Sequence, residues 1–171
     1  GNVLWLDASN QTSILLTGSA VTEWRDVSGN TNTFNQSSAS FKPSYKLDDW
    51  QRPHLDFDGT SSNLNSTSSQ LLGLGNSNNT FVVAYKSDIT TSESQGQTLM
   101  GISDGSTIQR VGLRVNASGN GGAGSDSLAF SSQNFSGNSN SCNISSAGVT
   151  DLSIGIGTRN GSNTKVYDGN G

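Results

Sequence analysis

The chain has 171 residues, of which 30% are hydrophobic and only 13% charged, with 21 glycines and a formal net charge of -4. That length is enough for a domain with a buried core. The sequence pI of about 4.7 and the scattered Lys and Arg exclude the clustered basic surface that nucleic acid demands. No apolar run approaches the roughly 20 residues of a membrane span, and Cys142, the only cysteine, supports no internal disulfide framework and reads as a small, semi-buried residue. Disordered chains combine low hydrophobicity with high net charge. Low charge, abundant Ser, Thr and Asn, and regular apolar pulses instead predict an ordered all-β surface protein with long polar loops.

Helical periodicity is nearly absent, and short apolar-polar alternations separated by turn residues predict strands. In chain order these are Val3–Leu6, Ala20–Arg25, His54–Phe57, Thr80–Lys86, Thr98–Ile102, Thr107–Val115, Ser127–Ser131, Asp151–Gly157 and Thr164–Tyr167. Asn10–Leu16 reads either as a short helical turn or as a crossing loop. Asn116–Gly124 is a glycine-rich connector and Gln133–Ser146 a long polar loop. In the Thr107–Val115 strand, Val111, Leu113 and Val115 share one face and Arg110, Gly112 and Arg114 the other. Leu152, Ile154 and Ile156 likewise form an apolar face, opposite a Ser and Gly face. A face so small leaves room for a ligand or another backbone, or accommodates twist. Nothing separates two domains, so residues 1–171 are read as one. The last strand, ending at Asp168-Gly169-Asn170-Gly171, enters a hairpin without its partner. This predicts continuation in a longer polypeptide or completion by a neighbouring copy, since an open edge invites pairing.

Three blocks carry a resemblance: Leu4-Trp5-Leu6-Asp7-Ala8, Trp24-Arg25-Asp26-Val27-Ser28-Gly29-Asn30 and Pro53-His54-Leu55-Asp56-Phe57-Asp58-Gly59. Their order and spacing resemble the laminin G-like branch of the concanavalin A-like lectin/glucanase superfamily, as found in prokaryotic and phage surface proteins. The resemblance is specific through about Gly59 and looser from Thr80 onward. It implies a two-sheet antiparallel jelly-roll sandwich that binds sugars or other surfaces.

Enzymes of that superfamily place two or three carboxylates, usually with Glu, on one strand. Here Glu23 and Glu93 stand alone and far apart, and Asp56 with Asp58 reads as a turn or metal element. His54, the only histidine, sits beside Pro53 without a nucleophile elbow or a matching lyase motif. One His and one Cys cannot supply a zinc site, and no strand–loop–helix glycine motif cradles phosphate. No catalytic residue is expected.

Calcium takes about six to eight oxygen ligands, and the Asp26–Asn30 and Asp56–Gly59 turns are rich in oxygen. Because laminin G-like domains often hold calcium at the sandwich rim, Asp26, Asn30 and Asp58 are the candidate ligands. The same side chains also serve as Asx turns that bond their own backbone. Sugar binding pairs an aromatic platform with amide and charged groups. Trp5 and Phe57 read as core and Trp24 as ambiguous. Trp50, Tyr45 and Phe135 lie in polar, loop-like segments. Trp50, between Asp48-Asp49 and Gln51-Arg52, is the leading ligand contact, though it reads equally as an indole tucked over the sandwich edge, with Tyr45, Arg110 and Arg114 as further candidates. Sequons at Asn10, Asn35, Asn65, Asn78, Asn116, Asn134, Asn143 and Asn160 arise readily in such a composition.

The expected function is non-catalytic recognition or adhesion on an extracellular, cell or virion surface, with a glycan or another surface polymer as partner. The alternative is a structural subunit of a virion, fibre or filament that contacts copies of itself.

Overall fold

The computed structural model describes residues 3–68, 71, 78–87, 97–103, 109–115, 127–133, 139–144, 152–161 and 163–169. These divide into two compact units, residues 1–68 and residues 69–171. All strand pairings in both are antiparallel. Among the described residues no helix is long and apolar enough to cross a membrane.

In residues 1–68 a 3-10 turn over Gln11–Ser13 is capped by Asn10, whose side chain accepts from the Thr12 N–H at 3.2 Å. It runs directly into β1 (Ile14–Thr17), so the Asn10–Leu16 span holds a turn and the start of a strand. A turn with Gly18 at φ +64° returns the chain as β2 (Ala20–Arg25). Then come β3 (Thr33–Asn35), β4 (Ser44–Leu47) and β5 (Pro53–Asp56). The sheet order is β1-β2-β4-β5, with β3 also paired to β2. Val21 and Pro43 are fully buried and bonded to each other, Val21 N–H donating to the Pro43 carbonyl at 2.8 Å.

Val3–Leu6 is not a strand of this sheet. Its backbone is held chiefly by side chains of the following turn, which takes the place of a ladder. Trp5 and Phe57 are not core either, at 54% and 44% exposed. The strand reading at His54–Phe57 shifts by one residue to Pro53–Asp56, which leaves Phe57 beyond the strand end. Three strands here escape alternation: β3 and β4 are short and largely polar, and β1 is a four-residue apolar run without alternation.

Residues 69–171 contribute β6 (Asn79–Tyr85), β7 (Gln97–Ser103), β8 (Gln109–Val115), β9 (Leu128–Gln133), β10 (Ser139–Ile144), β11 (Ser153–Asn160) and β12 (Asn163–Asp168). They form two sheets, ordered β10-β9-β8-β7 and β12-β11-β6. Strand β10 lies within Gln133–Ser146, read from sequence as a loop. Its Ser-Asn-Ser-Cys-Asn-Ile run carries too few apolar residues to show as a strand, yet it pairs with β9 along its whole length. The buried cluster unites Phe81 and Tyr85 of β6 with Val111, Leu113 and Val115 of β8 and Leu128 and Phe130 of β9. The Phe81 and Phe130 rings meet edge to face at 5.8 Å.

The β8 face is the one expected: Val111, Leu113 and Val115 point into the core. Strand β11 is turned the other way. Its Ser153, Gly155 and Gly157 are buried, while Leu152 and Ile154 are exposed. The cause is volume. A Cβ on Gly155 would lie 3.1 Å from Leu113 Cδ2 and 3.2 Å from Tyr85 Cε1, and one on Gly157 would overlap the edge of the Phe130 ring. The bulky side chains of the opposite sheet occupy the space that Ile154 and Ile156 would need. The glycine face is thus filled by core side chains.

Gly157→Ala should therefore lower the stability of this unit by about 1–3 kcal/mol, the usual cost of overpacking. Gly155→Ala, whose contacts are tight but not overlapping, should cost less. Thermal or urea unfolding of both variants checks the order.

Candidate functional site

The most elaborate polar cluster among the described residues surrounds Asp26. Its Oδ1 accepts the Trp5 N–H at 2.9 Å and the Ser28 N–H at 2.8 Å. Its Oδ2 accepts the Ser28 hydroxyl at 2.9 Å and the Asn32 side-chain amide at 2.8 Å. The Asn30 and Asn32 amides both donate to the Val3 carbonyl, at 3.2 and 3.0 Å, and Asn32 Oδ1 accepts the Ser68 hydroxyl at 2.6 Å. Asp26 and Asn30 are thus brought into one turn, linked through the Ser28 hydroxyl, to which Asn30 also donates at 2.9 Å. The cluster ties the N-terminal segment to the end of β2. Burial by itself would raise the Asp26 pKa, but the hydrogen bonds from Trp5, Ser28 and Asn32 outweigh it and hold the carboxyl below its ordinary range. Asn32, buried at the centre of this network, carries no sequence signal that separates it from the other asparagines.

Asp58 sits in a separate turn. Oδ1 accepts the N–H groups of Thr60, Ser61 and Ser62 at 2.9, 2.8 and 2.8 Å, as well as the Ser62 hydroxyl at 2.9 Å. Oδ2 accepts the Ser61 hydroxyl at 2.8 Å. These bonds, led by that of the Ser62 N–H, depress the carboxyl pKa far below the usual value. Both Asp26 and Asp58 therefore act as acceptors for turn backbone, the Asx geometry that competes with metal ligation. Among the described residues no group of three or more His, Cys, Asp or Glu gathers where a cation could bridge them.

The β4–β5 hairpin carries Trp50 and Tyr45. Tyr45 is on strand β4, not in a loop, and is half-buried with its hydroxyl donating to the Ala8 carbonyl at 3.2 Å. Trp50 is at the tip and 79% exposed. The tip is closed by Asp48. Its Oδ1 accepts the N–H groups of Trp50 and Arg52 at 2.9 and 2.8 Å, and its Oδ2 accepts Arg52 Nε at 2.7 Å. Backbone bonds from Gln51 N to Asp48 O at 2.9 Å and from Asp48 N to Arg52 O at 3.0 Å complete the loop. Further along the strands, Lys46 pairs with Asp56 at 2.6 Å. Asp48 was not singled out from sequence. The i, i+4 spacing of Asp48 and Arg52 beside Trp50 is the signal that would have found it.

Arg110 and Arg114 belong to the other unit, on β8. Arg114 is half-buried, and burial lowers its guanidinium pKa. The Arg110 side chain lies outside the described residues, as does Phe135. Cys142 on β10 is half-buried and its thiol donates to the Phe130 carbonyl at 3.7 Å. Burial pushes the thiol pKa up, which disfavours a reactive thiolate.

No protein-family model, curated protein or solved structure matches the chain.

The Asp26 geometry has a pH consequence. A carboxyl with a depressed folded-state pKa adds stability above its unfolded value, 3.8, and loses it as pH falls through the folded value. Asp26→Ala should cost about 1–3 kcal/mol at neutral pH, the usual value of hydrogen bonds to a charged group. Urea midpoints should fall more gently below about pH 4 in Asp26→Asn than in the wild type, while Asp7, Asp48 and Asp58 preserve the rest of the acid dependence.

Proposed function

We propose that this chain is a non-catalytic recognition module of an extracellular, cell or virion surface, binding a glycan or another surface polymer through the Trp50 hairpin. The observation that carries this reading is an indole almost fully open to solvent on a loop held closed by Asp48. An exposed indole offers a partner a large, rigid apolar face with a polar N–H edge. Binding to a preformed loop loses little conformational freedom. The laminin G-like, concanavalin A-like jelly roll that the sequence resembles agrees with the antiparallel, largely β character of the chain. Calcium enters this reading through that resemblance, with Asp26, Asn30 and Asp58 as its ligands. The Trp50 hairpin itself is closed without a metal.

Trp50→Ala should reduce affinity for the preferred glycan by about tenfold or more, with unfolding midpoints unchanged because the side chain buries little. A glycan array, run with calcium and again with chelator, identifies the preferred sugar. Loss of binding on chelation would make the module calcium-dependent. A blank array would remove the glycan reading.

A second reading, a structural subunit that packs against copies of itself, is favoured by the outward face of the three-stranded sheet. There Ile156 stands between Val82 on β6 and Tyr167 on β12, with Ile154 next along β11. Val82 is 60% exposed, and Ile154 and Tyr167 are nearly half exposed. Such a patch marks contact surfaces. In this reading the protein sediments as an oligomer and Val82→Lys shifts it toward monomer. Sedimentation of a wild-type monomer at high concentration would exclude it.

A further inference from the structure

The charge arrangement of the β4–β5 hairpin assigns a narrower ligand class to the Trp50 site. Lys46 and Arg52 are already paired with carboxylates, Lys46 with Asp56 at 2.6 Å and Arg52 with Asp48 at 2.7 Å, and His54, the third basic side chain of Ser44–Asp56, lies across from Lys46 on β5, in the strands rather than at the tip. Asp48 and Asp56 are thereby neutralised. Asp49, exposed and directly before Trp50, is the carboxylate of this hairpin left without a counter-ion among the described residues. The chain carries a formal net charge of -4, so an anionic polymer meets repulsion from the molecule as a whole as well as at this tip. Next to Asp49, Gln51 holds φ +61°, in the left-handed region that glycine and asparagine occupy more cheaply. The loop thus presents Asp49, Trp50 and Gln51 side by side, while Asp48 and Arg52 do the bracing.

We infer that this tip takes a cationic glycan, a polymer of amino sugars with free amines. The indole face stacks on a pyranose ring and attracts the neighbouring ammonium, the Asp49 carboxylate pairs with that ammonium, and the Gln51 amide bonds ring hydroxyls. This rests on the reading of Trp50 as a glycan contact and adds the sign of the ligand's charge.

The test is calorimetric titration of the protein, below about pH 6 where an amine is protonated, with a glucosamine oligomer and with its fully N-acetylated counterpart of equal length. The amine-bearing oligomer should bind about tenfold or more tightly than the acetylated one, and added salt should narrow the gap. Asp49→Asn should abolish the preference for the amine-bearing oligomer, while Trp50→Ala weakens binding of both. Equal binding of the two oligomers, or a preference that survives Asp49→Asn, overturns the charge assignment and leaves Trp50 as a contact for neutral sugar. Binding of neither oligomer overturns it as well, and the glycan array then decides whether the broader glycan reading stands.

Discussion

Aspartate carboxylates accepting backbone N–H groups hold the loops of residues 1–68 in place. Every N–H outside a ladder needs an acceptor, and a segment with so little buried apolar surface cannot lose many of them. Asp7 takes Ser9, Asp26 takes Trp5 and Ser28, Asp48 takes Trp50 and Arg52, and Asp58 takes Thr60, Ser61 and Ser62. Each carboxyl is held below its ordinary pKa by this work. The residues that look like ligands for a cation thus also serve as acceptors for the chain that carries them.

Residues 69–171 solve the problem of stability differently. There two sheets close over one apolar cluster, and the approach of β11 to the opposite sheet is set by Gly155 and Gly157. Interiors are close-packed, so large rings on one sheet require small residues on the other. Phe130 is fully buried because Gly157 gives it room. That complementarity turns Ile154 toward solvent and creates an exposed apolar face where the strand's own pattern suggested a buried one.

These two arrangements bear on recognition. A loop closed by a carboxylate within its own five residues keeps one shape without help from the rest of the sheet, which suits a contact residue that must not rearrange on binding. Trp50 has that support, whereas Tyr45 spends its hydroxyl on the Ala8 carbonyl and lies half-covered on a strand.

Much of the architecture was legible from the amino acids. Alternation located β2 to the residue and β5, β6, β7, β8, β9, β11 and β12 to within a few, because each carries enough apolar residues at period two. Asx and glycine turns were legible because Asp-x-Ser and Asp-Gly mark local geometry. Short polar strands such as β3 and β10 were not, since their place depends on pairing with β2 and β9 rather than on any pattern of their own. Nor was the division into two compact units, which depends on contacts between residues distant in sequence. The sequence by itself determined the all-β class and the turn-forming aspartates, both of which follow from local chemistry, whereas the exposure of Trp50 was settled by the fold. Only the tertiary structure decided which face of β11 is buried and which carboxylates are already occupied. Both depend on what volume and which donors arrive from elsewhere in the fold.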